Sequence, residues 1–239
     1  MTSVRVPGFS PKTGGFHFTN AFHSNPIRQF KLGNIATLNI GDAANGLCGG
    51  MSFTVRDLFE HRVGPPPDTT PPKAGDARYE YIVQRQIDSF EEGLVPLEFY
   101  LLMSPGRPER EPVWAQWLAF VHVDRHSRTY VMVHEEWPKI RAELDAGKLS
   151  TLGLVRVIDR DPAKLGQNHQ VVAYGYDLEG TALTLHIYDP NYPNDDSVTL
   201  GLDIRDPRGV AAPRYSKSAA PVVCFFRIGY ARQEPAPFR

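Results

Sequence analysis

Two cysteines in 239 residues, Cys48 and Cys224, are too few for a disulfide framework or a cysteine-rich zinc site. Charge of one sign is lacking as well. The 26 basic and 27 acidic residues leave a formal charge of -1, which gives no field suited to drawing in a nucleic-acid backbone or an anionic membrane. No apolar run reaches the roughly 18 residues needed to span a bilayer, and the start, Met1-Thr2-Ser3-Val4-Arg5-Val6-Pro7-Gly8, has no apolar core of a secretory signal. The expectation is a soluble cytoplasmic protein with neither nucleic acid nor membrane as a partner. Also absent are a phosphate loop of the Walker type, a dinucleotide Gly-x-Gly-x-x-Gly and a His-Glu-x-x-His helix, so no cofactor and no metal is expected.

The chain does have the means to bury a core, with 41% hydrophobic and 22% charged residues. Its length suits a single domain over 1–239. Residues 1–40 mix Gly, Asn, Phe and Thr without helical period and are expected as an extended segment draped on the body. Met51, Val55, Leu58 and Phe59 predict an amphipathic helix that begins near Cys48. Tyr79, Ile82, Val83, Ile87 and Phe90 predict a second, and Trp137, Ile140 and Leu144 a third that stops at Gly147. Between them, Pro65-Pro66-Pro67-Asp68-Thr69-Thr70-Pro71-Pro72 and the charged turn Arg107-Pro108-Glu109-Arg110-Glu111 read as exposed loops. Trp114, Trp117 and Phe120, three apart, read as core packing. After Gly147 strands are expected over 151–158, 169–176, 181–189, 198–204 and 222–228, with the second and third joined as a hairpin through Asp177-Leu178-Glu179-Gly180. Helices first and strands afterwards is the order of an α+β fold.

Three residues stand out chemically. Cys48 lies in Gly46-Leu47-Cys48-Gly49-Gly50-Met51, where a glycine-rich loop delivers a thiol to a helix start. Unpaired N–H groups and the positive end of the helix dipole favour a thiolate there, and Gly49 and Gly50 are expected to leave the backbone open to an incoming carbonyl oxygen. Cys224, in the apolar run Pro221 to Ile228, reads instead as a buried strand residue. His169 opens an apolar strand, and Asp189 follows 20 residues later at the end of the returning strand, so a hairpin brings imidazole and carboxylate together. The remaining seven of the eight histidines carry no such pattern. His122 and His134 alternate with apolar strand neighbours, His126 sits in a polar turn, and His17, His23, His61 and His186 have no polar partner at motif spacing. Asp189, Asn191, Asn194, Asp195 and Asp196 offer oxygen ligands, yet Asn194 and Leu200 stand where a calcium loop needs glycine and glutamate, so a solvated turn is expected.

The helix-initiating cysteine, then His169 with Val171-Val172-Ala173-Tyr174-Gly175-Tyr176-Asp177, then Tyr188-Asp189-Pro190, resembles papain-like cysteine peptidases. The branch it is most similar to holds the bacteriocin-processing, double-glycine peptidase domains, which also lead from a short helix and glycine, here Ile140, Leu144 and Gly147, into the strand before the histidine. The resemblance covers 41–193, leaving 194–239 as C-terminal strands and tail. It implies a papain-like fold with Cys48 as nucleophile, His169 as general base and acid, and Asp189 as the orienting carboxylate. It also implies peptide, protein or small-amide substrates cleaved through a thioester, or transferred by deamidation or transamidation.

The family places a glutamine about six residues before the cysteine as an extra oxyanion donor, and this chain has Asp42 there. An ionised aspartate repels the oxyanion, and a lost donor costs roughly 2.7–4 kcal/mol. Asn45, Gln167 or Asn168, or a protonated Asp42, are the alternatives. A catalytically inactive binding module that uses the same cleft is the other reading this departure leaves open.

Overall fold

Of Met51, Val55, Leu58 and Phe59, whose spacing predicts the first helix, the first three are buried and Phe59 is half-buried on α2 (Cys48–Glu60), which begins at the cysteine. In the computed structural model, the described residues are 1–22, 28–32, 36–40, 46–90, 94–111, 126–217 and 221–239, with the backbone alone at 28–32 and 36–40. Trp114, Trp117, Phe120, His122 and His23 lie outside them. Ahead of α2 come β1 (Thr2–Arg5), α1 (Pro11–Gly14) and a separate two-stranded sheet of β2 (Arg28–Leu32) and β3 (Ala36–Ile40). The second predicted helix is α3 (Ala77–Asp88), capped by Asp76, whose side chain accepts the Arg78 N–H at 2.8 Å. Next are α4 (Leu94–Met103), α5 (Arg128–Tyr130) and a π-helical turn, Val131–Glu136, that runs into α6 (Trp137–Asp145), the third predicted helix.

α2 and α3 meet at Gly50, where an added Cβ would collide with the carbonyl oxygen of Ile82. The Gly50 N–H, one of the unpaired donors of the helix start, is taken by Gln86 Oε1 at 2.9 Å. Backbone against backbone leaves no side chain to swing aside. Gly50→Ala is therefore expected to cost about 1–3 kcal/mol by overpacking, read as a lower denaturant midpoint at unchanged slope.

The second half of the chain forms β4 (Ser150–Val155), β5 (His169–Glu179), β6 (Ala182–Tyr188), β7 (Thr199–Asp203), β8 (Arg214–Tyr215) and β9 (Cys224–Ile228). They pair in the order β8-β7-β6-β5-β4-β9, antiparallel throughout, and β1 adds to β5. The fold is α+β with an antiparallel sheet. Every residue of β4 is buried, because β5 and β9 flank it within the sheet and α4 packs against it.

Several local expectations are corrected. The hairpin strands run on until Glu179 pairs with Ala182, so Gly180 and Thr181 alone make the turn. Within the N-terminal segment, residues 1–22 contribute to the core rather than lying draped over it, with Phe16, Phe18 and Phe22 at most 2% exposed. Its β1 approaches β5 at Gly175, where a Cβ would stand 2.5 Å from the Val4 carbonyl oxygen. The proline loop buries Pro66 and, with Phe18, Arg78 and Phe238, lines a cavity of about 260 Å³. At the charged turn, Glu111 is buried and accepts from His126 Nδ1 and the Ser127 N–H.

The histidines differ from expectation too. His134 is exposed in the π-helical turn rather than on a strand, with the Tyr130 ring stacked between it and His126. His17, His61 and His186 do have partners, namely Asn194, Glu234 and the Arg5–Asp177 pair. Each is distant in sequence or across a strand, so spacing does not reveal it.

Candidate active site

The Cys48 loop is shaped before the helix begins. Gly46 has φ +57°, a left-handed conformation natural to glycine, and an added Cβ there would strike the Asn20 amide. Asn20 Oδ1 accepts the Leu47 N–H at 2.6 Å, while the Asn20 N–H donates to the Pro190 carbonyl at 2.9 Å. One N-terminal residue thus ties the cysteine loop to the turn that follows Asp189. Cys48, 7% exposed, then opens α2.

His169 is the first residue of β5, and the β5–β6 register returns the chain to Asp189 just past the end of β6. His169 Nε2 lies 2.8 Å from Asp189 Oδ1, and the Cys48 thiol is close enough to act on the imidazole electrostatically. With the Nε2–H donating to the carboxylate, Nδ1 is the ring nitrogen left to face the thiol. The three residues singled out in the sequence are brought together.

Burial alone would push the His169 pKa down, but the charge of Asp189 and the contact with Cys48 outweigh it and raise the imidazole to about 10. For Asp189, burial alone would push the carboxyl up. The His169 charge and hydrogen bond outweigh this, with help from the Tyr215 hydroxyl and the Asn191 N–H, and hold it below the usual carboxylate range. Imidazolium and carboxylate are therefore the stable pair. Such a site can hold a negative sulfur beside a proton donor, which is what nucleophilic attack on an acyl carbon and departure of an amine require. The other thiol behaves as expected: Cys224 is fully buried in β9, and burial pushes it up to about 12.

The oxyanion candidates fare differently. Asp42 and Asn45 lie outside the described residues. Gln167 is exposed at the end of a 3-10 turn, Pro162–Gln167, and Asn168 Oδ1 accepts the Arg156 N–H at 3.1 Å. Gly49 and Gly50 have no room for a side chain. A Cβ at Gly49 would stand 2.7 Å from Oε1 of the buried Gln170 and would strike Ser89, and at Gly50 α3 fills the gap. These glycines serve close packing behind the nucleophile.

Sequence reading missed two contributors, Asn20 and Tyr215. Tyr215, on β8, donates its hydroxyl to Asp189 Oδ2. Neither stands near a motif, and both reach the site only through tertiary pairing.

The acidic tract after Asp189 is occupied by its own neighbours. Asp195 accepts from the Ser197 N–H and hydroxyl and pairs with Lys217 at 2.8 Å, while Asp196 accepts the Lys12 N–H at 3.0 Å. Among the described residues no group of three or more His, Cys, Asp or Glu side chains is placed to hold a metal ion, and no helix is long and apolar enough to cross a membrane. No family model, curated protein or solved structure matches this chain.

Proposed function

We propose that this chain is a papain-like thiol hydrolase or acyltransferase, related to the bacteriocin-processing peptidase branch, that acts on peptide or amide bonds through Cys48, His169 and Asp189. The observation that carries the reading is the buried His169–Asp189 pair at 2.8 Å with Cys48 beside it at a helix start. The Cys48 thiolate attacks the acyl carbon and pushes its π electrons onto oxygen. The tetrahedral intermediate collapses, the C–N bond breaks, and the His169 imidazolium protonates the departing amine to leave a thioester and a neutral imidazole. Water, or an amine in a transfer reaction, then attacks the thioester as His169 takes its proton, and the Cys48 sulfur leaves as thiolate.

One sequence feature favours a second reading, a binding module in the same cleft: Asp42 stands where the family keeps its oxyanion glutamine. The deciding experiment follows iodoacetamide alkylation of the Cys224→Ser protein from pH 4 to 9, with mass-spectrometric assignment to Cys48. A rate already high near pH 5 to 6, followed by cleavage of peptide or amide substrates that Cys48→Ser abolishes, is the expected result. A rate that rises only around pH 8 to 9, as for an ordinary thiol, overturns the thiolate–imidazolium pair. Fast alkylation without turnover of any amide favours the binding module.

A further inference from the structure

Asp189 is 1% exposed, and its carboxylate receives three donors. Oδ1 takes the His169 Nε2–H at 2.8 Å and the Asn191 N–H at 2.7 Å, and Oδ2 takes the Tyr215 hydroxyl. Tyr215 belongs to β8, a two-residue outer strand held to β7 by pairing with Leu200. It stands 26 residues beyond Asp189 and outside the stretch that resembles the peptidases, so nothing in that resemblance assigns it a role.

We propose that Tyr215 is a positioning residue of the site, gripping the Asp189 oxygen opposite His169 so that carboxylate and imidazole keep one plane and Nδ1 stays turned to Cys48. A carboxylate held at one oxygen alone is free to turn about its Cβ–Cγ bond, whose torsional wells are broad. A donor on the second oxygen fixes the plane and removes the desolvation penalty of a buried, unpaired acceptor. Tyr215 is suited to this because its hydroxyl stays protonated. Burial first, then the Asp189 charge and hydrogen bond, push it well above the usual tyrosine range, with Tyr192 adding and Arg156 opposing. Among the described residues, the titratable and charged groups that act on Asp189 or on its partners His169 and Tyr215 include Cys48, Tyr188, Tyr192 and Arg156. In this set the Tyr215 hydroxyl stabilises the ionised carboxylate, as the proton on His169 does, and so extends the ionised state to lower pH.

The inference rests on the thiol-enzyme reading above, and the test separates the two. Alkylation of Cys48 is followed from pH 4 to 9 in the Cys224→Ser background, alone and with Tyr215→Phe or Arg214→Ala. Arg214→Ala perturbs β8 but keeps the hydroxyl. Tyr215→Phe is expected to move the acid limb of the profile up by about one pH unit, so that alkylation slows by up to about tenfold on the limb itself and little on the plateau, as follows from loss of a hydrogen bond to a buried charge. Arg214→Ala should leave the limb in place. Superimposable limbs in parent and Tyr215→Phe overturn the inference alone, as does an equal shift in Arg214→Ala. A parent rate that rises only around pH 8 to 9 overturns the thiol-enzyme reading, and the inference with it. If Tyr215→Phe loses its far-UV circular dichroism, 3-fluorotyrosine at 215 replaces it. Its more acidic hydroxyl is a stronger donor and must move the limb down, and an unmoved limb again overturns the proposal.

Discussion

Alanine at His169 is expected to slow alkylation of Cys48 at pH 6 by about a hundredfold, measured in the Cys224→Ser background. The imidazole, raised to about 10, is protonated at that pH and is the cation that faces the sulfur. A thiol without such a partner has a pKa of about 8.5 and is ionised in roughly one part in 300 at pH 6. The loss falls short of that ratio because a less acidic thiol gives a more nucleophilic thiolate. The two proteins should converge above about pH 9, where any thiol ionises. Alkylation within twofold of the parent at pH 6 would show that His169 does not govern the sulfur. Asp189→Asn should fall in between, since it keeps the ring in place but removes the charge that favours imidazolium.

The largest stability effect is expected away from the site, at Asp57. This fully buried carboxylate on α2 accepts from Arg85 Nε at 2.7 Å and Nη2 at 3.2 Å, from the Tyr81 and Tyr230 hydroxyls at 3.0 and 2.8 Å, and from the Gln233 N–H at 2.9 Å. Removing one partner of a buried pair leaves the other charge uncompensated, and Arg85 is 1% exposed. Asp88 and the Ala231 carbonyl still hold Arg85, so Asp57→Ala should cost about 3 kcal/mol, the lower end of the usual 3–5. In a chain of this size that lowers Tm by roughly 6–12 °C. A Tm within 2 °C of the parent would sink the estimate, because it leaves no room for the loss of five hydrogen bonds to a buried anion.

The parts legible in the sequence share a property: their partners lie within one helix or one hairpin. Cys48 announced itself by a glycine-rich loop feeding an amphipathic helix, and His169 and Asp189 by a 20-residue interval that a hairpin closes. What escaped depends on contacts between distant segments. Phe16, Phe18 and Phe22 carry no periodic signal in a run of Gly, Asn and Thr, so their burial was invisible. α4, LVPLEFYLLM, is apolar on nearly every side and offers no stripe for a helical period to reveal. Tyr215 sits on a strand of two residues, too short for alternation, and Asn20 acts 27 residues from Leu47. The glycines after Cys48 were legible as glycines but not in purpose, since nothing local says that Gln170, Ser89 and Ile82 lean on them.

The way β1 joins the sheet has a consequence for association. β4 covers β5 from His169 to Ala173, and β1 takes over the same flank from Gly175 to Leu178, so two distant segments share one lane. If proteolysis or an N-terminal fusion pulls the first few residues away, the lane opens for half its length and exposes unpaired backbone donors and acceptors beside a hydrophobic interior. An open lane of that kind is a template for any extended strand, including the same four residues of a neighbouring copy. Preparations that have lost Thr2 to Arg5 should self-associate or take up an added extended peptide, and should lose hydrogen-exchange protection over Gly175 to Leu178 relative to the untruncated chain.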